Sequence, residues 1–275
     1  MVDFLKEHEY LINKIWQENC LNTMAKMPDS FIDLTVTSPP YDSLRLYKGY
    51  NFQFEKIAKE LFRVTKQGGI VVWVIGDSTI DGSETLTSCK QKIFFREECG
   101  FNIHDTMIYE KNGFSSPSNN RYHQVFEYMF VLSKETPKTF NPIKDRKNIW
   151  EPWGKNTRRQ QDGELKETQE RKTYIGNMGM RYNIWRFNVG GSGMSTPDKI
   201  AYQHPAIYPE DLAQDHIRSW SNEGDLIYDP FGGSGTTVKM CILLKRKYIM
   251  SEISAEYCEI AEKRIKPYKD QLILI

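Results

Sequence analysis

The chain has 275 residues, of which 39% are apolar and 13% aromatic, and a net charge of +1; its mean hydropathy is −0.59. That length fits one large domain or one domain with an insertion, and the apolar share supports a substantial core, which excludes a wholly disordered chain. No run approaches the ~20 apolar residues that cross a bilayer, and the charged start MVDFLKEHEYLINK lacks a signal peptide's apolar centre, so no membrane partner and a cytoplasmic location are expected.

Ile32 to Thr37 (IDLTVT) reads as a short buried strand that ends at Ser38-Pro39-Pro40-Tyr41. Phe54 to Lys66 places Ile57, Ala58, Leu61, Phe62 and Val64 close to a 3.6-residue period and predicts a helix ending at Gly68-Gly69. Gly69 to Gly76 (GIVVWVIG) is a second buried strand, and Ser83 to Glu98 a second helix. His104 to Glu110 and Phe126 to Ser133 suit a neighbouring antiparallel pair. After a polar stretch come a helix over Glu210 to Ser221, a strand over Leu226 to Tyr228, a strand over Lys247 to Glu252 and a helix over Ala255 to Ile265. Strands alternating with helices predict a doubly wound α/β sheet, mostly parallel with an antiparallel strand.

The polar stretch, residues 135–200, is expected to be an insertion. Lys144 to Lys199 holds 12 Lys/Arg against 7 Asp/Glu, an excess of +5 that leaves −4 on the rest of the chain. Trp150, Trp153, Tyr174, Tyr182, Trp185 and Phe187 are interspersed with those bases, a composition suited to a nucleic-acid surface. The domain reading is therefore 1–134 and 201–275 as two halves of one domain, with 135–200 inserted between them. Cys20, Cys89, Cys99, Cys241 and Cys258 contain no C-x-x-C pair and read as reduced thiols, and no metal is expected.

Two motifs carry chemistry. In Asp229-Pro230-Phe231-Gly232-Gly233-Ser234-Gly235-Thr236-Thr237, glycines at a strand-to-helix turn would let backbone approach a ligand closely. The spacing differs from the G-x-G-x-x-G dinucleotide fingerprint, which disfavours hydride chemistry. One strand later, Glu252 offers a carboxylate to ribose hydroxyls. In Ser38-Pro39-Pro40-Tyr41, two prolines hold the backbone extended and remove two N–H donors. What remains is carbonyl acceptors, the Ser38 hydroxyl and the Tyr41 ring, which suit an exocyclic amine on a base that also needs a stacking face.

Together these motifs resemble the amino-group DNA methyltransferases that use S-adenosylmethionine, in the permuted subclass whose catalytic motif precedes its cofactor motif. The family's [DNS]-P-P-[YFW] pattern matches Ser38, Pro39, Pro40 and Tyr41, and its F-x-G-x-G pattern matches Phe231, Gly233 and Gly235. The resemblance implies a Rossmann-like sheet, S-adenosylmethionine as cofactor with S-adenosylhomocysteine as product, and Asp229, Phe231, Gly232, Gly233, Gly235, Thr236 and Glu252 as cofactor residues. It further implies a target-recognition role for 135–200, and double-stranded DNA and a cognate restriction endonuclease as partners; a monomer and a homodimer both stay open. Two positions depart from the pattern. Glu18-Asn19 stands where members often have Gly-Asp, which makes Asn19 a candidate neighbour of the cofactor adenine. His204-Pro205 stands where Lys-Pro is common, which makes His204 a candidate cofactor neighbour.

The implied reaction draws the target base out of the duplex onto Tyr41, with Ser38 and the Pro39 carbonyl accepting from its amine. No Pro-Cys pair exists for covalent attack on a ring carbon, so an amino nitrogen is the acceptor. Ser38 favours cytosine N4 over adenine N6; RNA or protein-amide methylation and a catalytically inactive DNA-binding relative are more distant alternatives. Arg45, in the segment after the catalytic motif, and Arg158, Arg159, Arg171, Lys172, Arg181 and Arg186 are candidate DNA contacts.

Overall fold

The structure is a computed structural model that describes residues 7–40, 52–113, 119–148, 157–167, 176–189 and 195–273. Contacts divide it into two units, Met1–Asn141 with Asn183–Ile275, and Pro142–Tyr182. The larger unit begins with β1 (Lys14–Gln17), α1 (Cys20–Ala25), β2 (Ile32–Thr37), α2 (Phe54–Val64) and β3 (Thr65–Ile75). A hairpin of β4 (Thr79–Ile80) and β5 (Ser83–Glu84), α3 (Thr87–Glu97), β6 (Asn102–Lys111) and β7 (Phe126–Ser133) follow. The smaller unit pairs β8 (Arg146–Lys147) with β11 (Met178–Gly179), and β9 (Thr157–Arg159) with β10 (Leu165–Glu167), both antiparallel. The larger unit resumes with β12 (Ile184–Phe187), α4 (Glu210–Trp220), β13 (Leu226–Asp229), α5 (Thr236–Leu243), β14 (Lys247–Glu252) and α6 (Ala255–Ile273).

Eight strands form one sheet in the order β1-β14-β13-β2-β3-β7-β6-β12. Every neighbouring pair is parallel except those involving β7, which is reversed against both β3 and β6. The helical and strand periods explain the layers: α2 buries Ile57, Ala58, Leu61 and Val64 on one face, whereas Gly69 to Ile75 of β3 is buried residue by residue, as a strand covered on both faces requires. From the central β13–β2 pair, the chain runs outward through α5 to β14 on one side and through α2 to β3 on the other. The crevice at the carboxyl ends of β13 and β2 is therefore the topological switch point, where ligands of such sheets bind.

Some boundaries differ from the sequence reading. Helix α2 stops at Val64 instead of running to Lys66, because Lys134 Nζ takes the Phe62 and Thr65 carbonyls and Thr65 already pairs with Ile32 in the sheet. Ser83 and Glu84 belong to a hairpin, and α3 starts at Thr87, where the Asp77 carboxylate receives the Ser88 N–H and hydroxyl. The last helix runs on to Ile273. The compact smaller unit occupies 142–182 of the 135–200 stretch. Trp185 and Phe187 belong to the larger unit, buried on β12 alongside β6. No helix among the described residues is long and apolar enough to cross a membrane, and no group of three His, Cys, Asp or Glu side chains there is arranged to hold a metal ion.

Candidate active site

The two chemical motifs meet at the switch point. Asp229, the last residue of β13, is 1% exposed, and its Oδ1 accepts from the Thr37 hydroxyl at 2.7 Å and from the Phe231 N–H at 3.1 Å. Thr37 ends β2 and immediately precedes Ser38. One hydrogen bond thus joins the strand carrying the catalytic motif to the strand carrying the glycine turn. Burial pushes the Asp229 carboxyl up from its ordinary value, with its hydrogen bonds opposing the rise. Its Oδ2 is buried without a hydrogen-bond partner in the described structure, an acceptor suited to a ligand's donor. Thr237 adds a second tie, donating to the Val36 carbonyl of β2 at 3.3 Å and sharing a short hydrogen bond with the buried Tyr208 hydroxyl.

The glycine turn is shaped partly by the protein itself. Gly233 has φ +49°, and a Cβ built there would lie 2.9 Å from His204 Nε2. Gly232 and Gly235 face neighbours instead of open space: a Cβ would meet Met250 Cγ at 2.3 Å in one case and Ala261 Cβ at 3.0 Å in the other. At all three glycines a Cβ would crowd a protein neighbour, so packing favours glycine there whatever ligand the turn faces. Gly233 N–H donates to Glu252 Oε2 at 3.0 Å, and Ser254 N–H donates to Oε1 at 2.8 Å. The Glu252 carboxylate is thereby aimed at the end of β14, and burial raises its pKa against these bonds. Phe231 packs edge-on against Phe52 and Trp73 at 5.7 and 6.2 Å.

His204 is buried, accepts the Ala206 N–H at Nδ1 (3.1 Å) and meets the Tyr257 ring edge-on at 4.3 Å. It lies against the glycine turn at Gly233. Asn19 Oδ1 accepts the Leu21 N–H at 2.9 Å and caps α1. Ser38 is half-buried and Pro39 buried at the end of β2, with Pro40 half-buried beyond. Tyr41, Arg45, Arg171 and Lys172 lie outside the described residues, as does the Arg158 side chain.

Of the remaining candidate DNA contacts, Arg159 is exposed on β9. Arg181 binds Asp145 (Nε to Oδ2, 2.7 Å), and Arg186 on β12 binds Glu110 on β6 (2.5 Å). Both are already partnered by acids, which reduces what they offer to phosphate.

A group the sequence reading missed lies behind the turn. Arg264, 3% exposed on α6, donates from Nη1 to the Ser234 carbonyl, the Ser234 hydroxyl and the Thr236 hydroxyl, each at 3.0 Å. Its Nε reaches Asp198 Oδ2 at 2.9 Å, and its Nη2 reaches Glu210 Oε1 at 2.6 Å and Thr196 at 3.2 Å. Buried Lys239 bridges the same two carboxylates, 2.8 Å to each. Burial pulls Lys239 down, and its bonds to Asp198 and Glu210 more than reverse that. The Thr236 hydroxyl accepts from Arg264. The four charged residues share no periodicity or motif, so no sequence signal announces the cluster.

Comparison with known proteins gives concordant matches. The DNA methylase family model matches residues 32–263. The chain is 58% identical over 243 residues to the orphan methyltransferase M.BamHII of Bacillus amyloliquefaciens, covering 87% of this chain and 91% of that protein. It is 27% identical over 279 residues to the type II methyltransferase M.BglII of Bacillus subtilis, covering 98% and 72%. Among solved structures, the PvuII DNA methyltransferase, described as cytosine-N4-specific, superposes with a TM-score of 0.66 at 19% identity, covering 94% of this chain and 92% of that one. The S-adenosylmethionine complex of M1.HpyAVI gives 0.57 at 21% identity, covering 91% and 98%.

Proposed function

The chain belongs to the DNA methylase family, and from that premise we propose that it is a site-specific enzyme methylating the N4 amine of an extruded cytosine in double-stranded DNA. The observation that carries this reading is the Thr37–Asp229 hydrogen bond, which ties the acceptor motif to the cofactor turn across the switch point. S-adenosylmethionine supplies a methyl group made electrophilic by its sulfonium and leaves as S-adenosylhomocysteine.

The residues present fit that cofactor. Glu252, held by two backbone N–H groups, keeps lone pairs for ribose hydroxyls. Asp229 Oδ2 is a buried acceptor suited to an ammonium group, and His204 with the Gly232-Gly233 turn would bound the methionine end. On the acceptor side, Tyr41 would stack on the extruded base and return part of the few kcal/mol spent on unstacking. Ser38 and the Pro39 carbonyl would accept from the amine and hold its nitrogen toward the methyl group. Alignment of this kind supplies up to about 7–11 kcal/mol of barrier reduction. In that reaction the N–C bond would form as the S–C bond breaks, and the extra amine proton would leave to water, the methylated nitrogen being acidic until it does so. A strong general base is not required.

A serine at the first motif position supports cytosine, because adenine-specific relatives usually carry the stronger acceptor aspartate there. The smaller unit, Pro142–Tyr182, is assigned the recognition of the DNA sequence, with Arg158 and Arg159 toward phosphate. Nucleoside mass spectrometry on plasmid DNA from a methylation-deficient host expressing the chain tests the whole reading, with Ser38→Ala as control. N4-methylcytosine that disappears in the control is the expected result. N6-methyladenine would overturn the choice of base, and the absence of either product would overturn DNA as substrate.

A further inference from the structure

The Arg264 cluster spans three separate pieces of chain: the turn at Ser234–Thr236, the 195–210 segment that carries His204, and α6. Its chemistry is unusual for a packing device. Two cations and two carboxylates at burial of this degree lose most of their mutual attraction to desolvation, and apolar side chains of similar volume would stabilise the fold as well. What the cluster supplies, and apolar packing does not, is direction. Ser234 sits between Gly233 and Gly235, both at positive φ, where glycine places few steric restraints on the backbone. Arg264 grips Ser234 at both its carbonyl and its hydroxyl, and takes the Thr236 hydroxyl at the first residue of α5. The planar fork of the guanidinium then fixes how the turn faces Asp198 and Glu210.

We propose that Arg264, together with Asp198 and Glu210, is a cofactor-positioning residue that acts through Ser234 and Thr236 and through the segment bearing His204. This rests on the reading of the glycine turn as the S-adenosylmethionine site. Lysine cannot reproduce the arrangement, because one ammonium has three donors where Arg264 makes bonds in three directions from separate nitrogens.

Calorimetric titration of the full-length chain with S-adenosylmethionine tests it. The variants are Arg264→Lys and the double variant Arg264→Met/Glu210→Gln, which removes one cation and one carboxylate so that no charge in the cluster is left uncompensated. Arg63→Lys is the control: Arg63 is also a many-bonded cation, holding the Met24 and Met27 carbonyls, Glu60 and Asp29, but it lies on α2 away from the turn. Both Arg264 variants should weaken S-adenosylmethionine binding about tenfold or more, the equivalent of one or two lost hydrogen bonds to a charged group. In turnover assays KM for S-adenosylmethionine should rise by a similar factor while kcat at saturation changes by less than about threefold, the pattern of lost binding without lost chemistry. Arg63→Lys should leave S-adenosylmethionine affinity unchanged. If the double variant melts below wild type yet binds S-adenosylmethionine with wild-type affinity, the cluster is structural only and the proposal fails. A wild-type chain that does not bind S-adenosylmethionine would instead overturn the parent reading, so the two failures are distinguishable.

Discussion

Replacing Gly233 by alanine perturbs the turn in two ways that can be separated by experiment. At φ +49° an L-residue meets the left-handed penalty, roughly 1–2 kcal/mol. The new methyl group also lies 2.9 Å from His204 Nε2 and 3.1 Å from Cε1, closer than side chains tolerate. His204 is only 8% exposed, its Nδ1 is held by the Ala206 N–H, and the Tyr257 ring lies at 4.3 Å, so retreat is resisted. Overpacking of that kind costs about 1–3 kcal/mol. The Gly233 N–H to Glu252 bond survives the substitution, so no lost hydrogen bond enters. The expected destabilisation is therefore about 2–5 kcal/mol in the ligand-free protein.

A double-mutant cycle with His204→Ala isolates the steric part. Removing the ring makes room for the methyl group, and only the backbone penalty should remain, so the double variant should be more stable than the sum of the two single effects predicts, by about 1–3 kcal/mol. Urea unfolding followed by circular dichroism, with the slope checked for constancy across the four proteins, measures each term. Additivity within about 0.5 kcal/mol would refute the contact between His204 and the turn. A single variant as stable as wild type would refute the turn geometry itself.

Other perturbations follow from the same geometry. Burial raises both Asp229 and Glu252, so the folded state holds protons that the unfolded chain has lost, and these two groups make stability fall as pH rises from the ordinary carboxylate value near 4 through their folded-state range. Asp229→Asn keeps an acceptor for Thr37 and Phe231 but removes that titration, so its stability relative to wild type should improve between pH 4 and pH 7; a pH-independent difference in urea midpoints would contradict the assignment. Asn19→Ala should cost about 1 kcal/mol through the lost cap of α1 and leave S-adenosylmethionine affinity intact, whereas lost affinity at full stability would return Asn19 to the adenine. Removing the charges of Arg158 and Arg159 should weaken DNA binding and reduce the salt slope by up to about two. An unchanged slope would move the phosphate contacts elsewhere; Arg181 and Arg186, already bound to Asp145 and Glu110, should matter less.

The central elements were legible because their signals are local. The β-branched runs of β2 and β3 and the apolar period of α2 read directly as layers of one sheet, and the two motifs sit where β2 and β13 end. Strand β1, four residues of KIWQ with mixed exposure at the sheet edge, carries no comparable pattern, and β12 lay hidden in a polar, basic stretch. A cap, as at Asn19, and a close approach between neighbours, as at Gly232 and Gly235, look in sequence the same as residues reserved for a ligand. The Arg264 cluster is the extreme case. Its ion-paired members stand 29 to 66 residues apart, and only the folded sheet brings them together.

The reversed order of the two motifs along the chain is a matter of connection, not of chemistry. Thr37 and Asp229 are 192 residues apart yet share one hydrogen bond, because β2 and β13 are neighbours in the sheet. Loop-closure entropy grows only as about (3/2)RT ln n, so the presence of the smaller unit, Pro142–Tyr182, within that span costs about 0.2 kcal/mol in bringing the two strands together. Catalytic and cofactor strands therefore keep their juxtaposition almost irrespective of what is inserted between them. Under the recognition role proposed for it, a segment so little constrained could change its sequence, and its target, without disturbing the Thr37–Asp229 hydrogen bond.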